Sequence, residues 1–415
     1  MCCERINRQW LKHMNRFIIS GGGTGGHVYP AIAIAQAIRS REPDADILFI
    51  GALGKLEMEK VPAAGFRIQG LPVAGFIRRV TWKNLTFPFK LMKSLCLAKK
   101  MIKQFNPDVV IGVGGYASGP TLRVATSLGK PSLIQEQNSF PGVTNRLLGK
   151  RVRSICVAYP GMDRYFPADK IILTGNPVRL DLVALTDHLQ EAYTHFGLDP
   201  AKKTLLVIGG SGGARTINDS ILALIEQGLP EDVQLLWQTG KYYYDEVQRR
   251  LSDTRYEIRD TRITPKSPEG DLLPPPEGDL LPPLEGEGWG GVFAFIDRMD
   301  LAYSCADLVV SRAGAIAISE LCMVGKPVIL IPSPNVAEDH QTKNALALVE
   351  QKAAVMVSDR EASAILPGFV KEIMEDGGTR DRLGRQIRML AIPDAANRIA
   401  EEVFNLVKIN ANRHA

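Results

Sequence analysis

The sequence has no long apolar run. None of its apolar stretches approaches the roughly 18 residues that a membrane-spanning helix requires. Its first residues, MCCERINRQWLKHMN, also contain no apolar core of a signal peptide. We therefore expect neither an integral membrane protein nor a secreted one. Residues 1–14 are predicted to be an extension before the first domain, with Met14 as an alternative start.

Cysteine is scarce, and metal-ligand spacings are missing. The 415 residues include six cysteines with no Cys-x-x-Cys pair and no zinc-type spacing. Scattered thiols of this kind are typical of a protein in a reducing compartment. No Asp-x-Asp motif ends a predicted strand, where it would carry a divalent cation on a sugar diphosphate. We expect no metal site and no cofactor.

Acidic residues are rare in the first half of the chain. The net charge is +5, but residues 1–180 carry 26 Lys/Arg against 10 Asp/Glu. Residues 71–105 contain eight Lys/Arg and no acid, interleaved with aromatic side chains. This pattern favours contact with an anionic membrane surface, and the alternative is a core helix with a solvated basic face. The predicted membrane-contact residues are Phe76, Ile77, Arg78, Arg79, Trp82, Lys83, Phe87 and Phe89. No nucleic-acid partner is expected, because no nucleic-acid-binding module is present.

Short apolar runs alternate with helical patterns, which predicts an α/β protein with parallel sheets. The first series has strands at 17–20, 47–50, 109–113, 132–135, 154–157 and 171–173, and helices at 30–41, 86–104, 118–128 and 141–149. After a pause at 175–177, the second has strands at 204–209, 233–238, 292–295, 307–311 and 327–331, and helices at 214–228, 298–305, 315–324 and 339–351. Residues 265–291 interrupt this rhythm with the repeat PEGDLLPP, for which we predict a disordered insertion without an assigned function.

Both series open with a strand, a glycine loop and a helix. The first reads FIISGGGTGGHVYP (17–30) and the second LLVIGGSGGARTIN (205–218). Such turns place backbone N–H groups and a helix dipole around a phosphate. The sequence therefore predicts two Rossmann-like, doubly wound domains that face a cleft.

The first loop also matches the glycine pattern G-x-G-x-x-G of nicotinamide-binding proteins. That site needs an acidic residue at the end of the second strand to hold the ribose. Here the strand Ile47–Ile50 is followed by Gly51-Ala52-Leu53. The lysine of a P-loop is missing as well. These absences disfavour an oxidoreductase and a P-loop nucleotidase.

Five polar side chains follow the predicted strand ends. His27 directly follows the first loop and suits general-base chemistry on a hydroxyl, although a structural histidine is the alternative. In the second series Arg312 can neutralise phosphate. Glu320 can hold ribose hydroxyls, unless it is a solvated helix residue. Gln341 and Asn344 share a helix face, which suits sugar hydroxyls or an ordinary polar surface.

Eight motifs occur in order and resemble one family. They are GGGTGGHVYPA, GVGGYASGP, QEQNSFPGVTN, GNPVR, GGSGGAR, FID, SRAGA…SE and EDHQTKNA. Together they resemble the MurG family of bacterial peptidoglycan N-acetylglucosaminyltransferases, over about residues 15–410 except for 265–291. This resemblance implies two Rossmann-like domains in the GT-B arrangement. It also implies inverting, metal-independent transfer of GlcNAc from UDP-GlcNAc to the MurNAc 4-hydroxyl of lipid I, giving lipid II.

The resemblance also implies domain bounds and a location. The domains would be an acceptor and membrane domain at 15–178, a UDP-GlcNAc domain at 179–392, and a C-terminal helix at 393–415 that packs on the first. The enzyme would act at the cytoplasmic face of the bacterial inner membrane as a peripheral protein. Its partners would be UDP-GlcNAc, lipid I and the anionic membrane surface.

The resemblance assigns roles to residues by motif. His27 would be the base, with Tyr116 and Glu136 on the acceptor side. The donor-binding residues would be Thr24, Gly25, Gly26, Asn138, Arg179, Ser211, Ile296, Arg312, Ala315, Ile316, Glu320, Gln341 and Asn344. Within this set Ser211 would hold a phosphate, Ile296 would pair with uracil through its backbone, and Glu320 would hold the ribose.

Two positions depart from the family pattern. Gln135 stands where the family commonly has histidine, which excludes a base at that position. Gly212 stands where the family often has glutamine, which removes a side chain near the diphosphate. Two further alternatives stay open: a related glycosyltransferase that glycosylates diacylglycerol, and an inactive sugar-nucleotide binder.

Overall fold

The computed structural model describes residues 14–73, 87–178, 188–210, 212–260, 291–336 and 339–414. The chain divides into two compact units, one of residues 1–179 with 392–415 and one of residues 180–391. Several predictions lie outside the described residues: the extension 1–13, the repeat 265–290, Arg179, Ser211, and Phe76, Ile77, Arg78, Arg79, Trp82 and Lys83.

The first unit contains a seven-stranded parallel sheet in the order β3-β2-β1-β4-β5-β6-β7. Its strands are β1 Arg16–Gly21, β2 Asp46–Ala52, β3 Arg67–Leu71, β4 Val109–Gly114, β5 Ser132–Glu136, β6 Ser154–Val157 and β7 Ile171–Leu173. The central strands are almost wholly buried, as expected for a parallel sheet that helices cover on both faces. The helices are α1 Gly25–Arg41, α2 Glu57–Ala63, α3 Phe87–Phe105, α4 Ser118–Ser127 and α5 Val143–Gly149.

The second unit contains a six-stranded parallel sheet in the order β10-β9-β8-β11-β12-β13. Its strands are β8 Lys203–Ile208, β9 Val233–Gln238, β10 Gly291–Phe293, β11 Leu308–Ser311, β12 Val328–Leu330 and β13 Val355–Met356. Its helices are α6 Leu189–Phe196, α7 Arg215–Gln227, α8 Tyr244–Asp260, α9 Met299–Cys305, α10 Ala315–Val324, α11 His340–Glu350, α12 Ala362–Glu375 and α13 Gly377–Met389. The α/β class with two Rossmann-like domains is confirmed.

The last helix, α14 Ala395–His414, packs on the first unit. Its side chains Ile399 and Val403 join the buried cluster that α1 forms with one face of the sheet. The Phe404 ring meets the Phe17 ring of β1 edge-on, with centroids 5.6 Å apart.

The structure adds elements that the apolar patterns did not predict. The strand β3 lies at the sheet edge, and its side chains are mostly exposed or half-buried, so it carries no continuous apolar run. The helix α1 begins at Gly25, whereas the pattern predicted a start at residue 30. The first helical residues, Gly25 and Gly26, have low helix propensity. The sequence pattern therefore did not predict the first turn of α1, which the structure nevertheless contains. Within the described residues, no helix is both long and apolar enough to cross a membrane.

Candidate active site

The centre of the first sheet is a topological switch point. The chain leaves β1 toward β2 on one side and later returns to β4 on the other. In open α/β sheets, ligands bind outside the carboxyl ends of the strands at such a point. Here the glycine loop follows β1, and the turn Gly114–Gly115 follows β4, with Gly21 paired to Gly114. The two turns therefore meet at this edge.

The glycines are required by close backbone approach. Gly22 and Gly23 have φ values of +148° and +96°. Residues other than glycine adopt such backbone angles only at a cost in free energy. A Cβ atom at Gly115 would overlap the carbonyl group of Gly22. The two loops thus contact each other through backbone atoms, and this contact fixes the direction in which the first loop leaves the sheet.

Thr24 is the N-cap of α1, with extended backbone angles, and Gly25 and Gly26 are the first helical residues. The first N–H groups of a helix lack partners within the helix and carry the positive end of its dipole. Thr24 and Gly26 are exposed. This edge of the first unit can therefore bind an anion, as the glycine pattern predicted.

His27 lies in the first turn of α1. Its Nδ1 atom is 3.2 Å from the Oγ1 atom of Thr24. The other side of the imidazole packs on Gly114, where a Cβ atom would lie 2.7 Å from Cδ2 and 2.9 Å from Nε2. Tyr116, which is 51% exposed, has its ring beside Gly23. The structure thus brings His27, Tyr116 and the glycine loop to one place.

Glu57, the first residue of α2, lies at the same place, and the sequence analysis missed it. The side chain is 1% exposed. Its Oε2 accepts a hydrogen bond from Gly23 N–H and its Oε1 one from Ala52 N–H, both at 2.8 Å. The one feature of the sequence that could have pointed to Glu57 is its place as an acidic residue shortly after β2. It lies a few positions beyond the strand end, where the ribose-binding carboxylate of a nicotinamide site would be.

Glu136, predicted to lie on the acceptor side, is 2% exposed. Its Oε1 accepts hydrogen bonds from the backbone and side-chain N–H groups of Asn138, and its Oε2 from Gly142 N–H and the Asn145 amide. Burial raises the pKa of the Glu136 carboxyl, and these bonds oppose the rise. The carboxylate therefore organises the loop that carries Asn138, a predicted donor-binding residue.

Gln135 belongs to a buried amide cluster. Its Nε2 donates to Asn176 Oδ1 at 3.1 Å, and its Oε1 accepts from Gln137. Gln137 Nε2 also donates to the carbonyl of Val113 in β4, at 2.7 Å. A primary amide does not change its protonation state in the physiological pH range, so this position supplies hydrogen bonds and no base.

The second sheet has its own switch point, between β8 and β11. The loop after β8 contains Gly213, which has φ +79° and packs against the turn at Gly240 so closely that a Cβ atom on either would overlap the other loop. Gln238 Nε2 donates to Gly210 O at 3.1 Å, and its Oε1 accepts from Ile296 N–H at 2.9 Å. Ile296 was predicted to pair with uracil through its backbone, and its backbone N–H is bonded to Gln238 in this structure.

Arg312 follows β11 and is tied to the sheet edge. It donates to Ile331 O at 3.0 Å and forms an ion pair with Asp359. Asp359 also accepts from the Thr216 hydroxyl, in the first turn of α7, at 2.9 Å. Asp359 was not singled out by the sequence, and it already pairs the charge that was predicted to neutralise phosphate.

The helix α10 starts directly after this turn, with Gly314 as its N-cap and Ala315 and Ile316 as its first residues. Its N-terminus therefore presents a second place for an anion. Glu320 lies in the same helix, and its Oε2 accepts from the Tyr303 hydroxyl at 3.4 Å.

Gln341 and Asn344 come from α11 and contact the ends of neighbouring strands. Gln341 Oε1 accepts from Ser333 N–H at 2.8 Å, just past β12. Asn344 Nδ2 donates to Ala313 O at 3.3 Å, just past β11, and its side chain is fully buried. Both amides therefore lie at the carboxyl edge of the second sheet.

The helix α3 carries the part of the basic segment that the structure describes, including the predicted residues Phe87 and Phe89. Ser94, Ala98 and Ile102 form its buried face. Phe89 is 79% exposed and Met92 64%, and the lysines of this helix are exposed as well. The helix thus buries one face and shows apolar and basic groups together on the other.

Across the described ranges, no three His, Cys, Asp or Glu residues are grouped so that they could hold a metal ion.

Comparisons with known proteins identify the family. The models of the glycosyltransferase family 28 N-terminal and C-terminal domains match residues 17–157 and 284–399. A relative from Parabacteroides distasonis, named UDP-N-acetylglucosamine–N-acetylmuramyl-(pentapeptide) pyrophosphoryl-undecaprenol N-acetylglucosamine transferase, is 52% identical over 94% of this chain and 98% of its own length.

Solved structures support the fold. The crystal structure of Acinetobacter baumannii MurG superposes with a TM-score of 0.68 at 24% identity, covering 94% of this chain and 99% of that one. A UDP-GlcNAc 2-epimerase from Neisseria meningitidis superposes with a TM-score of 0.63 at 13% identity, covering 94% and 100%. Since an epimerase shares the fold, the fold leaves the reaction open, and the sequence relationship decides the family. The chain belongs to the family of UDP-N-acetylglucosamine–N-acetylmuramyl-(pentapeptide) pyrophosphoryl-undecaprenol N-acetylglucosamine transferases.

Proposed function

We propose that this protein transfers GlcNAc from UDP-GlcNAc to the 4-hydroxyl of MurNAc in lipid I, giving lipid II for peptidoglycan synthesis. The observation that carries the proposal is the 52% identity to a transferase of that name over 94% of the chain. The glycine loops at both switch points support it, because donor and acceptor each contain a diphosphate that helix N-termini and loop N–H groups can bind.

We assign the acceptor to the first unit. The diphosphate of lipid I would meet the N–H groups of Gly25 and Gly26, with Thr24 and Tyr116 beside it. His27 would accept the proton of the MurNAc hydroxyl as the oxygen forms its bond to the GlcNAc C1 atom. The bond from C1 to the diphosphate oxygen breaks on the opposite face, so UDP leaves and the configuration inverts.

We assign the donor to the second unit. The diphosphate would meet the N-terminus of α10 at Ala315 and Ile316, together with Ser211, and Glu320 would hold the ribose. Uracil would pair with the backbone of Ile296. It would bond either the Ile296 carbonyl or the Ile296 N–H, the latter after the hydrogen bond of that N–H to Gln238 breaks. The remaining proposed contacts are Asn138, Arg179, Arg312, Gln341 and Asn344.

We also propose a peripheral location at the cytoplasmic face of the bacterial inner membrane. The exposed face of α3 supports it, since Phe89 and Met92 lie among lysines there. Apolar groups can enter the headgroup region while lysines meet anionic lipids. The predicted contacts at 76–83, which lie outside the described residues, belong to this proposal by their basic and aromatic sequence alone.

The deciding experiment is incubation of the protein with UDP-GlcNAc and a short-chain lipid I analogue, with the product identified by mass spectrometry. We expect a disaccharide product and release of UDP. A diacylglycerol acceptor in the same reaction tests the alternative transferase, and we expect no glycolipid. Absence of disaccharide from folded, UDP-GlcNAc-binding protein would refute the proposal and favour an inactive sugar-nucleotide binder.

A further inference from the structure

We propose that Glu57 is a positioning residue for the transfer reaction and that it acts through the first glycine loop. This inference rests on the proposed function, because the loop is the part of the first unit assigned to the acceptor diphosphate. Glu57 is outside every motif that relates the chain to its family, and it is one of the few buried acids of the first unit.

Glu57 connects two backbone segments, the end of β2 at Ala52 and the loop at Gly23, with one carboxylate oxygen for each at 2.8 Å. A charged acceptor binds N–H groups more strongly than a neutral one. The carboxylate therefore holds the loop to the neighbouring strand at a fixed distance.

Two glycines leave the space that the Glu57 side chain occupies. A Cβ atom at Gly22 would overlap the Glu57 carboxylate, and one at Gly51 would lie 2.5 Å from Glu57 Cγ. Gly22 in the loop after β1 and Gly51 in β2 thus leave the space that the Glu57 side chain fills. Because the side chain is 1% exposed, its burial excludes solvent competition for the two N–H groups.

The bond between Glu57 and Gly23 also affects which N–H groups can bind an anion. Since Glu57 takes the Gly23 N–H, that donor points into the protein and away from any ligand. The donors that remain for a diphosphate are those at the helix start, at Gly25 and Gly26, directly before His27. Without Glu57 the Gly23 N–H would become an extra donor, and a bound anion would settle further from His27. A shift of about 1 Å in a reacting group can reduce a rate about 100-fold.

The test compares Glu57→Gln with two control variants in the full-length protein. Gln keeps the shape but replaces one acceptor oxygen by an NH₂ group, so one of the two hydrogen bonds is lost. Glu59→Gln changes the same charge on the same helix, at a side chain that is 74% exposed. Val61→Ala removes buried volume from the same helix, at a side chain that belongs to the core cluster formed with α1 and β1.

We expect Glu57→Gln to lower kcat about 10- to 100-fold while the KM for UDP-GlcNAc stays within about twofold of the wild type, because the uracil, ribose and diphosphate of the donor are assigned to the second unit. Hydrogen–deuterium exchange of the peptide covering residues 20–26 should become faster. Both controls should keep kcat and the loop exchange rate. Glu57→Asp, one methylene shorter, should resemble Gln and serves as the second variant if Gln fails to fold.

These measurements distinguish failure of the role proposed for Glu57 from failure of the proposed transferase function. A kcat within twofold of the wild type in Glu57→Gln or Glu57→Asp, or an unchanged loop exchange rate, would overturn the role of Glu57. An equal loss of kcat in Val61→Ala would do so as well, because it would assign the effect to general destabilisation. A wild-type protein that makes no disaccharide would instead refute the proposed function, and the loop exchange would still report whether Glu57 holds the loop.

Discussion

Gly114 offers a test of His27 that leaves the imidazole itself in place. Its φ of +91° and its position against the His27 ring are independent features. In Gly114→Ala, the new methyl group would lie 2.7 Å from Cδ2 and 2.9 Å from Nε2 of the imidazole, so the ring must move. The backbone strain of a non-glycine residue at such a φ adds about 1–3 kcal/mol to the cost of folding.

Displacement of the ring should appear in the rate. General-base catalysis is worth about 10²- to 10⁴-fold, so Gly114→Ala should lose a large part of that factor in kcat. His27→Ala should lose all of it. The double variant should be no slower than His27→Ala alone, because the two changes remove the same contribution and residues that act as a unit are not additive.

Gly129→Ala is the matched control, since Gly129 has φ +72° in the same unit and no atom of the described residues lies within 4 Å of the added Cβ. It should lower the free energy of unfolding by a similar strain term and leave kcat unchanged. Initial rates of disaccharide formation, with thermal unfolding of each variant, provide the comparison. If Gly114→Ala keeps kcat within about threefold, or if the losses in the double variant multiply, the contact between Gly114 and His27 does not serve catalysis.

Three further predictions concern the cysteines, the surface of α3 and the C-terminal helix. Burial raises the pKa of Cys305 and Cys322 to about 12. Iodoacetamide at pH 8 should therefore label the exposed Cys96 and leave these two unlabelled until the protein unfolds. Equal labelling of the three cysteines in peptide maps would contradict this prediction. Phe89→Ser with Met92→Ser should weaken binding to phosphatidylglycerol vesicles about 10- to 100-fold, whereas Leu147→Ser, at a residue that is 72% exposed on α5, should not. Ile399→Ala should lower the free energy of unfolding, measured by chemical denaturation, by about 2–5 kcal/mol. Ile409, on the same helix, is 49% exposed, so Ile409→Ala should lower it by less than about 0.5 kcal/mol. Equal losses in the two variants would show that α14 does not complete the core of the first unit.

The sequence predicted the sheets and the two glycine loops because these features are local. Long apolar strands and glycine turns need only neighbouring residues to be recognised. Glu57 and Asp359 were missed because their partners are distant: Glu57 bonds a loop 34 residues earlier, and Asp359 pairs with Arg312, 47 residues before it. A carboxylate that reaches a motif through tertiary contacts leaves no periodic signal.

The interpretation of the first loop changes accordingly. The missing carboxylate at Gly51-Ala52-Leu53 disfavoured a nicotinamide site. The structure places a carboxylate nearby, that of Glu57, with both oxygens bonded to backbone N–H groups. An acid in that position would repel a diphosphate if its charge were open to the ligand. Here two N–H groups bind it, and the side chain is buried. Glu57 is therefore not placed to hold a ribose as in a nicotinamide site. Its carboxylate instead bonds the backbone of the glycine loop and of β2.

Asp359 has a comparable place in the second unit. It links Arg312, after β11, to Thr216, in the first turn of α7, so it connects the two chain segments that leave the switch point. In each unit a carboxylate from outside the family motifs thus joins two segments at the carboxyl edge of the sheet. The motifs supply the N–H groups and helix ends that can bind phosphate. Glu57 bonds the Gly23 N–H of the first loop and so sets the direction of that group, whereas Asp359 bonds the side chains of Arg312 and Thr216. The first glycine loop, transferred to another sheet without Glu57, would keep its sequence signature and lose the orientation of that N–H group.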